Sequence, residues 1–369
     1  VNKLLLNKKI LKDLDFGLIF TVLLLIVIGI VNIYSATYNE SGLYYVKRQI
    51  LWVGVSVFMM YFLILFDYSI VGIYSELIYW FFNIMLLITY FVAEAINGAS
   101  GWLNFGPINL QPSEFAKIAL CIFLSKKISE YEGKINKFSE LMIILGYAAI
   151  TMVLIVIEPD MGMVMLCFFM VIGIIFVSDI SGKKMVVLLA CATLAIVITL
   201  NFPYLPPYMK ERVDSFINGN NTSGSAYQVV QSIVAIGSGK IFGTGFLKSV
   251  KTSAGHVPEA STDFIFSVIG EEWGLIGGIV VILLYIILIY RVLKISKNAK
   301  NSFGKIFTAG IASLWIFQYF QNIGMTISVM PVTGVTLPFV SYGGSSIMSN
   351  FIALGLILNI GMRKKKLMF

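Results

Sequence analysis

Charge is scarce in this 369-residue chain. Asp, Glu, Lys and Arg together make up 12% of it, against 58% hydrophobic residues. Soluble globular domains carry roughly twice that share of charge, so a large water-soluble core is excluded. Histidine is almost missing: His256 stands alone, which rules out a histidine-rich metal centre. There are three cysteines, Cys121, Cys167 and Cys191, and all fall inside apolar runs. They form neither a disulfide framework nor a metal-ligand spacing, and they read as small buried residues. Internal repeats, low-complexity tracts and a second soluble domain are also absent. The net charge of +8 could suggest nucleic acid, but the basic residues hug the ends of apolar segments. That pattern belongs to membrane topology, not to a nucleic-acid-binding face.

Long apolar runs are abundant. Mean hydropathy is +0.88. Taking about 20 apolar residues per crossing, the expected fold is an all-α membrane protein of about ten helices. They run over Phe16–Tyr34, Gln49–Phe66, Ile73–Glu94, Ser113–Ile128, Glu140–Ile157, Met161–Val177, Lys184–Leu200, Asp263–Tyr290, Phe303–Val329 and Pro338–Met362. Phe16–Tyr34 exceeds a signal-peptide core in length and reads as a retained first span. One membrane domain is expected to occupy residues 1–369. Of 27 Lys and Arg, 19 fall on one side of these spans, so both termini are expected in the cytoplasm. The outer face then carries the connection 95–112, the Glu158-Pro159-Asp160 turn, and a long loop, about 201–262, between the seventh and eighth helices. A loop of that length in a compact membrane protein is usually functional.

Carboxylates at the seam between this loop and the eighth helix need a reason, because ionisable groups near a membrane mark pathways or sites. Glu259, Asp263, Glu271 and Glu272 all lie there. With Ser261 or Thr262 as cap, Asp263 falls in the first helical turn, where it could compensate the helix dipole. Its apolar flank Phe264-Ile265-Phe266 could equally raise its pKa toward that of a general base. Glu271 and Glu272, two turns deeper, read as buried struts against another helix.

Three further groups stand out. Glu114 and Lys117, spaced i, i+3, share one helix face and must look into the protein or a hydrated cavity. Lys210, Glu211, Arg212 and Asp214 precede a Tyr227–Ser232 stretch containing Gln231, and then the glycine-rich run 237–245 with Lys240. Clustered glycines expose N–H groups that can cradle phosphate, although the spacing is neither a Walker A nor a dinucleotide motif. Arg212 could clamp a diphosphate or simply be a solvated charge. In the last group, Gln321–Met325, Met330–Gly334 and Leu337–Ser346, small residues point to close helix packing, with Ser341 and Tyr342 able to line a cavity.

Together these segments resemble the SEDS family (RodA, FtsW, SpoVE) of cell-wall glycosyltransferases over nearly the whole chain. The matching blocks are GASGW, QPSEFAK, EPDMG, YQVVQSIVAIGSG, PEASTDFIFSVIGEEWG, QNIGMT and PVTGVTLPFVSYGGSS, in family order. MPVTG ahead of LPFVSYGGSS looks most like RodA.

The resemblance implies an enzyme that polymerises lipid II into glycan strands on the outer face of the bacterial cytoplasmic membrane. It also implies a class B penicillin-binding transpeptidase and the elongation machinery as partners, with no role for nucleic acid. The family's catalytic aspartate falls on Asp263, its glutamate and lysine on Glu114 and Lys117, and its tryptophan on Trp102. Arg48, Arg212, Gln231, Lys240, Glu259 and Ser341 are the further candidate substrate contacts. No dedicated metal site is visible; a divalent cation (Mg or Mn) could accompany the substrate diphosphate. The chain departs from the family pattern at Gly101, where many members have Arg or Lys, at Ser261, commonly His, and at Lys240, usually glycine. Without the resemblance, a flippase for a lipid-linked precursor fits the intramembrane charges as well as an enzyme does, and a scaffold that positions a synthase is a third reading.

Overall fold

The computed structural model describes residues 13–93, 101–106, 108–182, 184–186, 212, 216, 224–252 and 254–363. The described elements are α1 (Phe16–Ser41), α2 (Tyr44–Leu65), α3 (Tyr68–Ile73), α4 (Ser75–Val92), β1 (Leu103–Phe105), β2 (Ile108–Leu110), α5 (Pro112–Glu130), α6 (Phe138–Ile157), α7 (Met161–Val177), α8 (Gly224–Ser238), α9 (Ile265–Lys297), α10 (Ser302–Thr326) and α11 (Gly344–Met362). Among the described residues six helices are long and apolar enough to cross a membrane: α1, α2, α4, α6, α9 and α11. All but residues 184–186 of the expected span Lys184–Leu200, and most of the first half of the long loop, lie outside the described residues.

The bundle is built inside out relative to a soluble protein. Large apolar side chains such as Phe58, Leu77, Phe81, Phe91 and Tyr290 point outward, where lipid tails satisfy them. The centre holds α5 and α10, which are rich in small and polar residues. Both are almost wholly buried. Helices in lipid gain little from burying apolar area against one another, so close approach of small residues and interhelical hydrogen bonds take over. Gly310 of α10 shows the first: a Cβ there would lie 2.7 Å from Ile174 of α7 and 2.8 Å from Cys121 of α5. The Thr151 hydroxyl on α6, which donates to Asn83 Oδ1 on α4 at 2.9 Å, shows the second.

The third predicted span, Ile73–Glu94, corresponds to α4, with the short helix α3 added ahead of it. Three expectations are corrected. The connection 95–112 contains an antiparallel hairpin, with Leu103 opposite Leu110. The last helix starts at Gly344 rather than Pro338, because Pro338, Gly334 at φ 71° and Phe339 at φ 64° hold residues 331–343 as irregular backbone inside the bundle. Asp263 is not helical: the helix begins at Ile265 with Phe264 as its cap, so the dipole-compensating first-turn reading does not hold.

The glycine-rich run also does more than turn. α9 breaks at Gly274, φ 64°, and the loop enters the break. Leu275 N donates to Lys240 O at 2.9 Å and Ile276 N to Ile241 O at 3.3 Å, while Thr244 N and Gly245 N donate to Glu271 O and Glu272 O. Backbone groups freed by the kink are thus paired by the loop, as a water-poor interior requires. Glu271 and Glu272 are both buried struts, but only Glu272 works against another helix; Glu271 is paired with the loop. The first accepts from Val250 N, Lys251 N, Thr252 N and Thr252 Oγ1 at 2.8–3.0 Å. The second accepts from Leu247 N at 3.2 Å and from the Ser35 hydroxyl on α1.

Candidate active site

Irregular backbone can be buried only if its carbonyls find donors, and α10 supplies them to residues 331–336. Gln318, Gln321 and Asn322, spaced i, i+3, i+4, share a face. Gln318 Nε2 donates to Thr336 O at 3.0 Å, and Gln321 Nε2 to Pro331 O at 2.8 Å and Thr333 Oγ1 at 3.0 Å. Asn322 Nδ2 reaches Val335 O at 2.7 Å and Asp263 O at 2.8 Å. One amide therefore fixes the buried loop and the candidate aspartate together.

Ser341 adds a second tie. Its hydroxyl donates to Thr262 O at 2.5 Å and accepts from Leu337 N at 2.8 Å, and Tyr342 N donates to Ser261 O at 2.9 Å. A hydroxyl so engaged positions backbone, so the structure uses Ser341 as a staple for the Asp263 turn. Gln49 of α2 holds the same corner, donating to Ser341 O at 3.1 Å. Glu259, at φ 54°, shapes the turn from the other side: its carbonyl accepts from Thr262 N and Phe264 N, and its carboxylate from Thr262 Oγ1 at 2.9 Å.

The Asp263 carboxyl ends up half-buried against Gly334, whose Cβ, if it had one, would sit 3.5 Å from Oδ2. Burial is the main force pushing its pKa up, to about 7, with the charges of Glu259 and Asp160 adding to the rise and Arg212 opposing it. A carboxyl balanced near neutrality is what proton transfer at cellular pH calls for.

Around it the sequence-predicted groups are unequally placed. Lys117 Nζ lies 2.6 Å from Glu114 Oε2 with both side chains buried, in a contact close in distance but not aligned as a hydrogen bond. Ser349 Oγ donates to the same Glu114 oxygen at 2.7 Å. Arg212 is half-buried, acts on both Asp263 and Asp160, and helps line a cavity of about 90 Å³ with Phe216, Val229 and Met330. Trp102 is half-buried, next in the chain to the buried Gly101. Arg48, at the start of α2, donates to Tyr44 OH at 2.9 Å and influences Tyr342. Gln231 on α8 and the exposed Lys240 are not brought to Asp263 by any hydrogen bond or ion pair among the described residues. For Lys240 it is the backbone carbonyl that is used, in the α9 break.

Sequence reasoning treated Glu158-Pro159-Asp160 as a turn and missed its chemistry. Asp160 caps α7, accepting from Met163 N and from Gln111 Nε2, each at 3.0 Å. Burial raises its pKa, with Glu114 raising it further and Lys117 and Arg212 opposing. Glu158 is fully buried, and burial, then Asp160, pushes its carboxyl up to about 8. Two acids flanking a proline at the end of an apolar run were the available signal; they invite the same question as Asp263. Among the described residues no three His, Cys, Asp or Glu side chains converge closely enough to hold a metal ion.

The geometry is matched by kinship. A family model described as "Cell cycle protein", covering FtsW, RodA and SpoVE, matches residues 16–366. Stage V sporulation protein E of Bacillus subtilis is 33% identical, over 94% of this chain and 96% of that protein. Peptidoglycan glycosyltransferase RodA of Treponema pallidum is 29% identical, over 95% and 98%. Among solved structures, a chain of a peptidoglycan synthase complex studied for the coordination of polymerisation and crosslinking superimposes with a TM-score of 0.81 at 27% identity, covering 94% of this chain and 97% of that one. RodA of Thermus thermophilus gives 0.72 at 25% identity, covering 96% and 98%. A buried polar loop pinning an aspartate at the head of a kinked apolar helix thus sits in a multi-pass membrane chain that belongs to the FtsW/RodA/SpoVE family.

Proposed function

We propose that this chain is a peptidoglycan glycosyltransferase that polymerises lipid II on the outer face of the bacterial cytoplasmic membrane, with both termini cytoplasmic. The observation that carries the reading is Asp263: a half-buried carboxyl, balanced near pH 7 and fixed through its own carbonyl by Asn322. The relatives named peptidoglycan glycosyltransferase support the reaction class.

In the reaction, Asp263 takes the proton of the sugar 4-hydroxyl of one lipid-linked disaccharide. That oxygen attacks the anomeric carbon of a second, and the bond to its polyprenyl diphosphate breaks, the electron pair leaving with the phosphate. Fixed cations stabilise the charge that develops there. Arg212 and Lys117 are the assigned groups, with Arg48 and Lys240 at the approach. Glu114 holds Lys117 in place, and Trp102, Gln231, Glu259 and Ser341 complete the substrate surroundings. The MPVTG form of the PxxG segment supports a RodA-like role in elongation and shape. A class B penicillin-binding protein is the partner such a role requires.

The test gives purified protein in detergent lipid II, with and without Asp263→Asn. Polymer from the wild type and at least a 100-fold loss in the variant is expected. Equal yields would sink the assignment of Asp263. Absence of polymer from the wild type would favour a flippase, which needs two membrane sides.

A further inference from the structure

Every buried carboxylate discussed so far has partners except one. Glu158 is 0% exposed, and neither Oε1 nor Oε2 has a hydrogen-bond partner among the described residues. An ionised carboxylate in that state costs several kcal/mol, so the group is held neutral, and a buried polar group left without partners calls for one that arrives. Its surroundings limit what arrives. Two residues on, Asp160 accepts from Gln111 and Met163 and is electrostatically coupled to Glu114 and to Asp263. This acidic side repels phosphate, which Arg212 attracts. The opposite face of Glu158 meets Gly101, where even a Cβ would keep 3.7 Å from Oε2. A side chain longer than alanine's at position 101 would press on the carboxyl, and the half-buried Trp102 follows it in the chain.

A neutral carboxylic acid differs from an ionised one in having a proton to donate. Sugar hydroxyls can donate to ionised carboxylates, so they do not require such a group. A carbonyl oxygen, which only accepts, does. We infer that Glu158 is a specificity residue that donates a hydrogen bond to the carbonyl of the acetamido group on an amino-sugar substrate, in a subsite between the Glu158–Asp160 turn and Gly101-Trp102. This rests on the polymerase reading and adds the feature of the substrate that the site selects.

The experiment compares lipid-linked disaccharides bearing a 2-acetamido group with synthetic analogues bearing 2-hydroxyl, as substrates for wild type, Glu158→Ala and Glu158→Gln. Loss of one buried hydrogen bond corresponds to a KM raised about tenfold. Glu158→Ala is expected to show that rise for the acetamido substrate with kcat within about threefold, and to lose the wild-type preference over the hydroxyl analogue. Glu158→Gln, whose amide N–H can also donate, rescues the preference. An alanine variant that discriminates as well as wild type overturns the proposal, and so does a glutamine variant as defective as alanine. If thermal unfolding shows the alanine variant misfolded, Glu158→Met, closer in volume, takes its place. If wild type makes no polymer, the catalytic reading fails separately, and direct binding of the two precursors to wild type and Glu158→Met still decides the subsite.

Discussion

Glu271 and Glu158 are both wholly buried glutamates near the ends of membrane helices, yet they have opposite surroundings. Glu271 accepts four hydrogen bonds, three of them from consecutive backbone N–H groups of the loop it clamps. Glu158 accepts none among the described residues. The first region is finished by the chain itself, and its carboxylate is part of the scaffold. The second is left unpaired, and it is linked through Asp160 to the half-buried Asp263. Burial alone says little about an acid's role in a membrane protein; satisfaction by the chain's own donors marks the structural ones.

The comparison can be broken at several points. The largest effect belongs to the open region: Asp263→Asn should reduce polymerisation at least 100-fold while the protein still folds, as measured by glycan yield and thermal unfolding on one sample. On the closed side, Glu271→Ala strands the amides of Val250, Lys251 and Thr252, and should cost about 3 kcal/mol or more. A melting temperature unchanged in detergent would show that the clamp contributes nothing.

Gly274→Ala tests the same clamp through the backbone. It places a Cβ at φ 64° and 2.4 Å from Gly243 N, with an expected loss of about 1–3 kcal/mol, read as a lowered melting temperature. The smallest effect sharpens the comparison by pH. Asp263 has a folded pKa, about 7, above its ordinary value, so its ionised form opposes folding above pH 7 and that cost fades as pH falls toward 4. Asp263→Asn should therefore melt higher than wild type at pH 8 and equally at pH 4. By the same sign, wild-type kcat/KM should fall about tenfold per pH unit on the acid side of 7, since the base must be ionised.

Much of this molecule was legible from residue order alone. Apolar run length is a one-dimensional property, so α1, α2, α4, α6, α7 and α9 appear close to where hydropathy puts them. Family blocks in order likewise point to Asp263, Glu114 and Lys117. What residue order could not yield was decided by partners far apart in the chain. LPFVSYGG is apolar enough to read as the start of a helix, yet residues 338–343 stay irregular because Ser341 is tied to Thr262 O and Leu337 N, beside a 331–336 segment whose carbonyls are taken over by Gln318, Gln321 and Asn322. Asp263 lies before its helix rather than in it because Glu259 O captures the amide of Phe264.

Glu271 and Glu158 look alike in sequence, each an acid beside an apolar run. Which one is saturated depends on whether a loop twenty residues away folds back to donate its amides, and hydropathy carries no record of that. The sequence by itself determined a membrane bundle of known kinship with an acid at a loop–helix seam. Only the tertiary structure decided which acids are paired, because hydrogen-bond satisfaction is a property of three-dimensional neighbours.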